Sequence, residues 1–324
     1  SGLSPHCLHL LERLHIKDRF AKNAVHMPKL LARGPDGLEV FLNGQKGAWV
    51  VPRVDFDHGI VRAATEHGVK FQDDTKVVEL LRNGEVRGVK TNQGDIEADF
   101  VVCANGSPSR FSRETREPYA IRTIMGWWKG SALPSDQGIM AWDRRLDGYY
   151  AWAFPEPDGV ANYGITIPEG SPHASRLKEL FQEVLDEQFG ELLRGAEQVG
   201  KWMGHPATLT TTVGDVVERR AMWIGEAARL VSPATVEGIS FAMESGIVAA
   251  ETIAKHFDRE RGMSKVGAAV YRAKVGSSML PKFIIAEGFV RLMRSPRARE
   301  WSARVLNPQW LASKASTLVG ERPA

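Results

Sequence analysis

Cysteine is nearly absent from this chain: Cys7 and Cys103 are the only two in 324 residues. Two are too few for a disulfide framework, and neither has the paired Cys or His spacing of a structural zinc site. Such sparse usage points to a reducing compartment. Charge of one sign is also scarce. Lys and Arg number 42 against 39 Asp and Glu, a net of +3, which makes no electrostatic case for a nucleic-acid partner. No apolar run approaches the roughly 18 residues that span a bilayer, and no secretory signal opens the chain. A cytoplasmic protein is therefore expected. GxGxxG, GxSxG, Walker A, HExxH and kinase elements are all missing, as are internal repeats and low-complexity tracts. Nine histidines are scattered along the chain. Of these, His58 and His67 read as solvent-facing on an amphipathic stretch, so no metal site is expected.

What is present is an ordinary globular composition, 43% hydrophobic and 25% charged. It is enough chain for one large or two interleaved domains with a substantial core. Ser4-Pro5 ahead of Leu8, Leu11 and Leu14 predicts an N-capped helix. Residues 25–42 read as two strands about the Gly34-Pro35-Asp36-Gly37 turn, and 50–53 as another short strand. A helix over 55–68 would bury Phe56, Ile60, Val61 and Ala64 and stop at Gly68. Strands at 69–71 with 74–81, at 85–91 and at 95–103 follow, with hairpin turns at Asn83-Gly84 and Gln93-Gly94. Cys103 falls in an apolar run and reads as core.

The texture changes over residues 120–167, where aromatic-rich segments alternate as antiparallel strands of a second sheet do. A helix over 173–189 and a strand over 207–213 come next. Residues 266–318 are helical in pattern, with interruptions expected at Pro281, Pro296 and Pro308.

Residues 223–246, WIGEAARLVSPATVEGISFAMESG, carry the most information. They read as a short strand (Met222-Trp223-Ile224), a Gly-centred turn, a Pro-bearing loop and a helix opening at Glu237-Gly238. Unpaired N–H groups at such a helix start suit a phosphate or another electron-rich group. Residue by residue the stretch resembles the second FAD-contact segment of the geranylgeranyl reductase family, G-D-A-A-x-x-x-x-P-x-x-G-E-G-I followed by A-x-x-S-G. The matches are Gly225, Ala227, Ala228, Pro233, Glu237, Gly238, Ile239, Ala242, Ser245 and Gly246. Glu226 stands where the family has Asp, and Val236 where it usually has Gly.

Other segments follow in the family's order. Val51 to Asp57 is similar to its V-x-R-x-x-F-D segment, whose Arg, here Arg53, offers a planar fork of donors for cofactor oxygens. Val77 matches the position whose backbone meets adenine. Residues 104–109, ANGSPS, resemble the A-D-G-x-x-S turn, with Asn105 in place of Asp. Tyr150-Ala151-Trp152-Ala153-Phe154-Pro155 looks like the family's Y-x-W-x-F-P motif. Alternation puts Tyr150, Trp152 and Phe154 on one strand face, an apolar wall suited to a polyprenyl chain; a sheet core packed against a helix would read the same way. The likeness covers essentially the whole chain.

The resemblance implies a two-domain α/β flavoprotein of the hydroxybenzoate hydroxylase type. It has an FAD/NAD(P)-binding Rossmann-like domain (1–24, 48–118 and 214–258), an inserted antiparallel-sheet substrate domain (25–47 and 119–213) and a helical C-terminus (259–324). The implied cofactor contacts are Gly2, Arg53, Val77, Asn105, Gly106, Gly225, Glu226, Pro233, Gly238 and Ile239. Tyr150, Trp152 and Phe154 would hold the substrate; no catalytic acid is implied. The family's first strand–GxGxxG–helix unit, about forty residues, is expected ahead of Ser1, and without it FAD should bind weakly. The implied reaction is hydride transfer from reduced FAD to an isoprenoid C=C bond, recharged by NAD(P)H or a ferredoxin-type donor. A monooxygenase or halogenase of the same fold, or a lipid-binding protein without FAD, are the alternatives. Arg291, Arg294, Arg297, Arg299 and Arg304, interleaved with apolar residues, are the mix of a helix on an anionic membrane surface and equally of a basic cap over the substrate domain.

Overall fold

The computed structural model describes residues 2–107, 109–111 and 119–297. In chain order, β1 (Gly2–Leu3) leads into α1 (Pro5–Arg13) and α2 (Asp18–Ala21), then β2 (Val25–Arg33), β3 (Glu39–Val50) and α3 (Arg53–Glu66). Next come β4 (Val77–Asn83), β5 (Glu85–Thr91), β6 (Gly94–Glu97) and β7 (Val101–Cys103). Strands β8 (Tyr119–Lys129), β9 (Gln137–Trp142), β10 (Tyr150–Pro155) and β11 (Val160–Pro168) precede α4 (Leu177–Leu193) and β12 (Glu197–Leu209). The chain ends its described course with β13 (Ala221–Trp223), α5 (Ile239–His256), β14 (Phe257–Asp258), β15 (Gly262–Met263) and α6 (Lys265–Arg294).

These elements form two compact units. The first comprises residues 2–64, 120–207 and 286–297. Its eight-stranded sheet runs β1-β3-β2-β9-β10-β11-β8-β12. Pairing is antiparallel as expected from β9 through β11 to β8, but β2 and β9 are parallel. The β2–β3 hairpin is made early and β9 joins it after the excursion through β4–β8, so nothing forces a hairpin turn between them. Helix α1 opens as predicted, with Ser4 Oγ accepting the Cys7 N–H at 3.2 Å.

Register sorts the two sheet faces. Ile139, Ala153 and Tyr163 lie abreast on one side, as do Ala141, Ala151 and Ile165. Helix α4 covers this side through Leu180, Phe181, Val184, Leu185 and Phe189, all buried. The rings meet edge-on, Tyr163 with Phe189 at 5.2 Å and Trp128 with Phe181 at 6.3 Å. Alanines on β9, β10 and β11 leave room for those rings. Each buried aliphatic or aromatic side chain contributes about 1.5–3 kcal/mol, so packing rather than helix propensity holds α4 here.

The second unit comprises residues 65–107, 109–111, 119 and 208–285. It contains a β4-β5-β6 meander and a parallel β7–β13 pair. Trp223, Tyr271, Met279 and Phe283 form its fully buried centre. Tyr271 donates its hydroxyl to the Trp223 carbonyl at 3.2 Å, and Phe241 meets Phe283 edge-on at 4.9 Å. Arg220, only 5% exposed, was not singled out from sequence. It pairs with Glu85 at 3.0 Å and donates to the Asp99 and Arg259 carbonyls.

Several expected boundaries move. Strand β3 ends at Val50 and Arg53 begins α3, so residues 50–53 are not a strand. Residues 69–71 form no strand, and Val69 and Phe71 are exposed. The stretch 95–103 divides into β6 and β7, and the strand expected over 207–213 is β12, which starts at Glu197. Helix α6 continues through Pro281. Fully buried Met279 and Phe283 hold the turns on either side, which offsets the hydrogen bond the proline removes. Ser1, Pro108, Arg299, Arg304 and Pro308 lie outside the described residues.

Candidate functional site

The 223–246 stretch folds as a strand, a tight turn and a helix in the second unit. Strand β13 delivers the chain into a 3-10 turn over Gly225–Ala228, where Gly225 has φ +55°. A Cβ at Gly225 would fall 2.9 Å from the Ala242 Cβ on α5. Ser245, one turn further along α5, accepts the Gly225 N–H at 2.9 Å and donates to the Ala242 carbonyl at 3.0 Å. The A-x-x-S spacing of the helix is thus the spacing that lets one face of α5 lie on the glycine turn. Glu226 is half-buried and Pro233 is buried.

The start of α5 is partly occupied, contrary to the expectation of open N–H groups. The Glu237 carboxylate accepts the Ser240 N–H at 2.7 Å and its hydroxyl at 2.6 Å, capping the first turn. The Gly238 and Ile239 N–H groups make no hydrogen bond among the described residues. They stand at the positive end of an 18-residue helix, where an electron-rich group is stabilised. Just before them, Val236 sits at φ +54°. This left-handed conformation costs a β-branched side chain about 1–2 kcal/mol, and it accounts for the family's preference for Gly there.

In the same unit, Asn105 and Gly106 follow β7. Asn105 is exposed and its Oδ1 accepts the Ser109 hydroxyl at 3.1 Å. Gly106 has φ +68°, and a Cβ there would meet no atom within 4 Å. Ser107 is held by a 2.7 Å hydrogen bond with Thr208. Burial pushes the neighbouring Cys103 thiol up to about 11, with Glu218 adding to the shift and Arg82 opposing it. Val77 is half-buried at the first rung of β4, opposite Thr91.

The remaining candidates lie in the first unit. Arg53 is exposed and engaged with Asp57 one helical turn on, through Nη2 at 2.9 Å and Nε at 3.1 Å. Exposed pairs of this kind contribute little, so the guanidinium is available for exchange. Gly2 pairs with Val50 in the sheet. A Cβ on it would lie 3.9 Å from Phe154 Cε2, so the structure brings one predicted cofactor position against a predicted substrate position.

Tyr150, Trp152 and Phe154 share the sheet face opposite α4. Register sets Trp142 beside Tyr150, Met140 and Gly164 beside Trp152, and Asn162 beside Phe154. Tyr150 and Trp152 are buried, and Met140 joins them in one apolar cluster flanked by Leu30, Met125, Trp142 and Phe154. Successive rings meet at 5.5 Å (Trp142–Tyr150) and 6.2 Å (Tyr150–Trp152). Phe289, near the end of α6, stacks edge-on against Trp142 at 5.5 Å. Sequence reasoning missed Met140, Trp142 and Asn162, which strand register brings alongside, and Phe289, which reaches Trp142 from α6. Among the described residues no group of His, Cys, Asp or Glu could hold a metal ion, and no helix is long and apolar enough to cross a membrane.

Comparison with known proteins gives this geometry a context. A family model described as FAD dependent oxidoreductase matches residues 13–248. The digeranylgeranylglycerophospholipid reductase of Methanothrix thermoacetophila is 26% identical over 277 residues, which is 80% of this chain and 70% of the relative. The enzyme of the same name from Methanosphaerula palustris is 26% identical over 283 residues, 80% of this chain and 69% of the relative. Among solved structures, the flavin-dependent brominase Bmp2 superposes with a TM-score of 0.80 at 21% identity, covering 98% of this chain and 82% of the brominase. A geranylgeranyl bacteriochlorophyll reductase-like protein from Thermoplasma acidophilum gives a TM-score of 0.70 at 20% identity, covering 99% of this chain and 81% of its own. At those identities the structures speak for the fold alone, and it is the flavoprotein fold expected from the sequence.

Proposed function

Since the chain belongs to the FAD dependent oxidoreductase family, we propose that it reduces isoprenoid C=C bonds of a polyprenyl or lipid substrate. One observation carries the substrate class. The Tyr150-Trp152-Phe154 row lies on the sheet face that α4 does not cover, in a chain whose relatives are named as digeranylgeranylglycerophospholipid reductases. The helix that meets this face is α6, whose Phe289 touches Trp142 at the Tyr150 end of the row. Relatives so named act, by name, on a lipid with geranylgeranyl chains.

The residues present suit the cofactor. Gly106 is open to close approach, and Gly238 and Ile239 offer unengaged N–H donors at a helix start. Gly225, Glu226 and Pro233 shape the turn beside that helix. Val77, Asn105, Gly2 and the exchangeable Arg53 complete the proposed set. FAD, when bound and reduced, supplies the hydride for the alkene. The chain's own part is binding and exclusion. Rings of the 150–154 row offer apolar surface along the prenyl chain and keep water from the reacting carbons. No side chain is assigned as the proton donor. NAD(P)H or a ferredoxin-type protein is the proposed electron source, and contact of the basic C-terminal region with an anionic membrane is a further part of the reading.

The test is anaerobic incubation of the protein, FAD and dithionite with a geranylgeranyl lipid, read by mass spectrometry. Addition of two hydrogens per double bond is the expected result. The reading fails if the lipid is unchanged while, in a separate aerobic assay with NADPH in place of dithionite, an aromatic substrate drives oxygen uptake. That outcome would favour a monooxygenase or halogenase of the same fold. Lipid binding with no flavin held even at saturating FAD, by a chain extended to include the residues expected ahead of Ser1, would favour a binding protein.

A further inference from the structure

Trp152 is held on the aromatic face by a buried polar tether as well as by packing. Its indole N–H donates to the Asn162 Oδ1 at 2.7 Å, and the Asn162 amide donates in turn to the Gly126 carbonyl at 3.1 Å; both bonds are buried. Opposite Trp152 in register is Gly164, two residues along β11 from Asn162. A Cβ at Gly164 would fall 2.1 Å from Trp152 Cζ2 and 2.4 Å from Cη2. The indole therefore lies across the bare backbone of β11, over ground that any other residue would occupy.

Two physical points follow. First, a glycine beneath the ring gives it space and no side chain to lean on, so packing alone leaves its tilt undetermined on that side. The Asn162 hydrogen bond supplies the missing constraint. Second, the pair is poor value as a source of stability. Replacing both partners of a buried hydrogen bond with apolar groups of similar shape is often neutral, and a Phe over a Leu would serve a sheet core equally. A polar tether linking three strands at an apolar surface makes sense where the orientation of that surface matters. Tyr150 has ring neighbours on two sides, Trp142 and Trp152. A Cβ at Gly138 would fall 2.9 Å from Phe154 Cδ1, so that ring too lies beside a glycine.

We infer that Asn162 is a positioning residue for the prenyl site: with Gly164 it lays the Trp152 indole flat on β11 and so fixes the surface on which the isoprenoid chain rests. The inference rests on the proposed assignment of the 150–154 row to the prenyl chain. Asn162 acts through the indole and is not assigned contact with substrate.

A double-mutant cycle tests it, with geranylgeraniol as the probe and its dissociation constant from the full chain as the readout. Asn162→Leu and Trp152→Phe should each weaken binding about five- to tenfold, the scale of one lost hydrogen bond. The double variant should bind no more weakly than Trp152→Phe alone, because without an indole N–H there is nothing for Asn162 to hold. Gly164→Ala, which displaces the ring and leaves Asn162 in place, is a second route to the same loss should Asn162→Leu fail to fold. In turnover with FAD and dithionite, KM should rise with kcat little changed. Wild-type affinity in Asn162→Leu, or additive losses in the cycle, would overturn the inference while leaving the prenyl wall standing. Wild-type affinity in Trp152→Phe would remove the wall itself, and this role with it.

Discussion

The Ser245 hydroxyl accepts the Gly225 N–H at 2.9 Å, and both groups are buried. The helix that flanks the proposed cofactor turn is thereby tied to the turn itself. Ser245→Ala leaves that N–H with no partner, which costs about 1–3 kcal/mol. The expected result is a lower urea midpoint with an unchanged m-value, together with weaker FAD binding. A variant with wild-type stability would mean that water replaces the hydroxyl and that the tie is dispensable.

Val236 is held at φ +54°, so relief of strain should outweigh the loss of a half-buried side chain. Val236→Gly is expected to raise stability by roughly 1 kcal/mol. Val236→Ala should give a smaller gain, since a Cβ remains. Thermal denaturation of the three proteins checks the order, and a destabilised glycine variant would refute it.

Arg220 is 5% exposed and joins Glu85 to two carbonyls of the 259–260 turn. Arg220→Met leaves those acceptors unserved and should cost about 3–5 kcal/mol. Arg220→Lys cannot reproduce the planar fork and should recover only a part. Denaturant unfolding of the two variants is the measurement; equal stability of Lys and Arg would show that charge alone suffices.

Cys103 should make the protein sensitive to alkali. Burial raises its thiol from an ordinary 9.0 to about 11 in the folded chain. The folded state therefore keeps a proton that the unfolded state gives up. This contribution is complete below pH 9 and declines as pH climbs through 9 to 11, a loss on the order of 2–3 kcal/mol. Cys103→Ala should flatten that part of the stability profile. At pH 8 a thiol reagent should modify Cys103 only as fast as the protein opens.

How far the sequence reached depended on where each signal lay. The strand–turn–helix at 221–256 was legible because Gly225, Gly238, Ala242 and Ser245 each answer to a local demand: a positive φ, a helix start, a close approach or a buried N–H. The aromatic alternation of residues 150–154 gave the shared face correctly, since period two is intrinsic to a strand. It could not say which layer that face met. That depends on β11 and β9 supplying glycines opposite the rings, and on α4 choosing the other side through Phe181 and Phe189. Arg53 was read at a strand end because Val50-Val51 looks like a strand; the helix begins there instead, and its Asp57 partner is one turn away. The Pro281 boundary failed for the opposite reason, a strong local signal overruled by two buried side chains.

The parallel pairing of β2 with β9 also governs the order in which the molecule can be made. Lys29 and Asp136 are joined by a 2.6 Å ion pair at that seam, 107 residues apart in sequence. A ribosome adding roughly 5–20 residues per second leaves the β2 edge of the first hairpin uncovered for about 5–20 seconds before β9 emerges. During that interval the nascent chain presents an unsatisfied strand edge, the surface through which partly made proteins stick to one another. The interval before β9 emerges is thus the stage at which holding factors would be needed most.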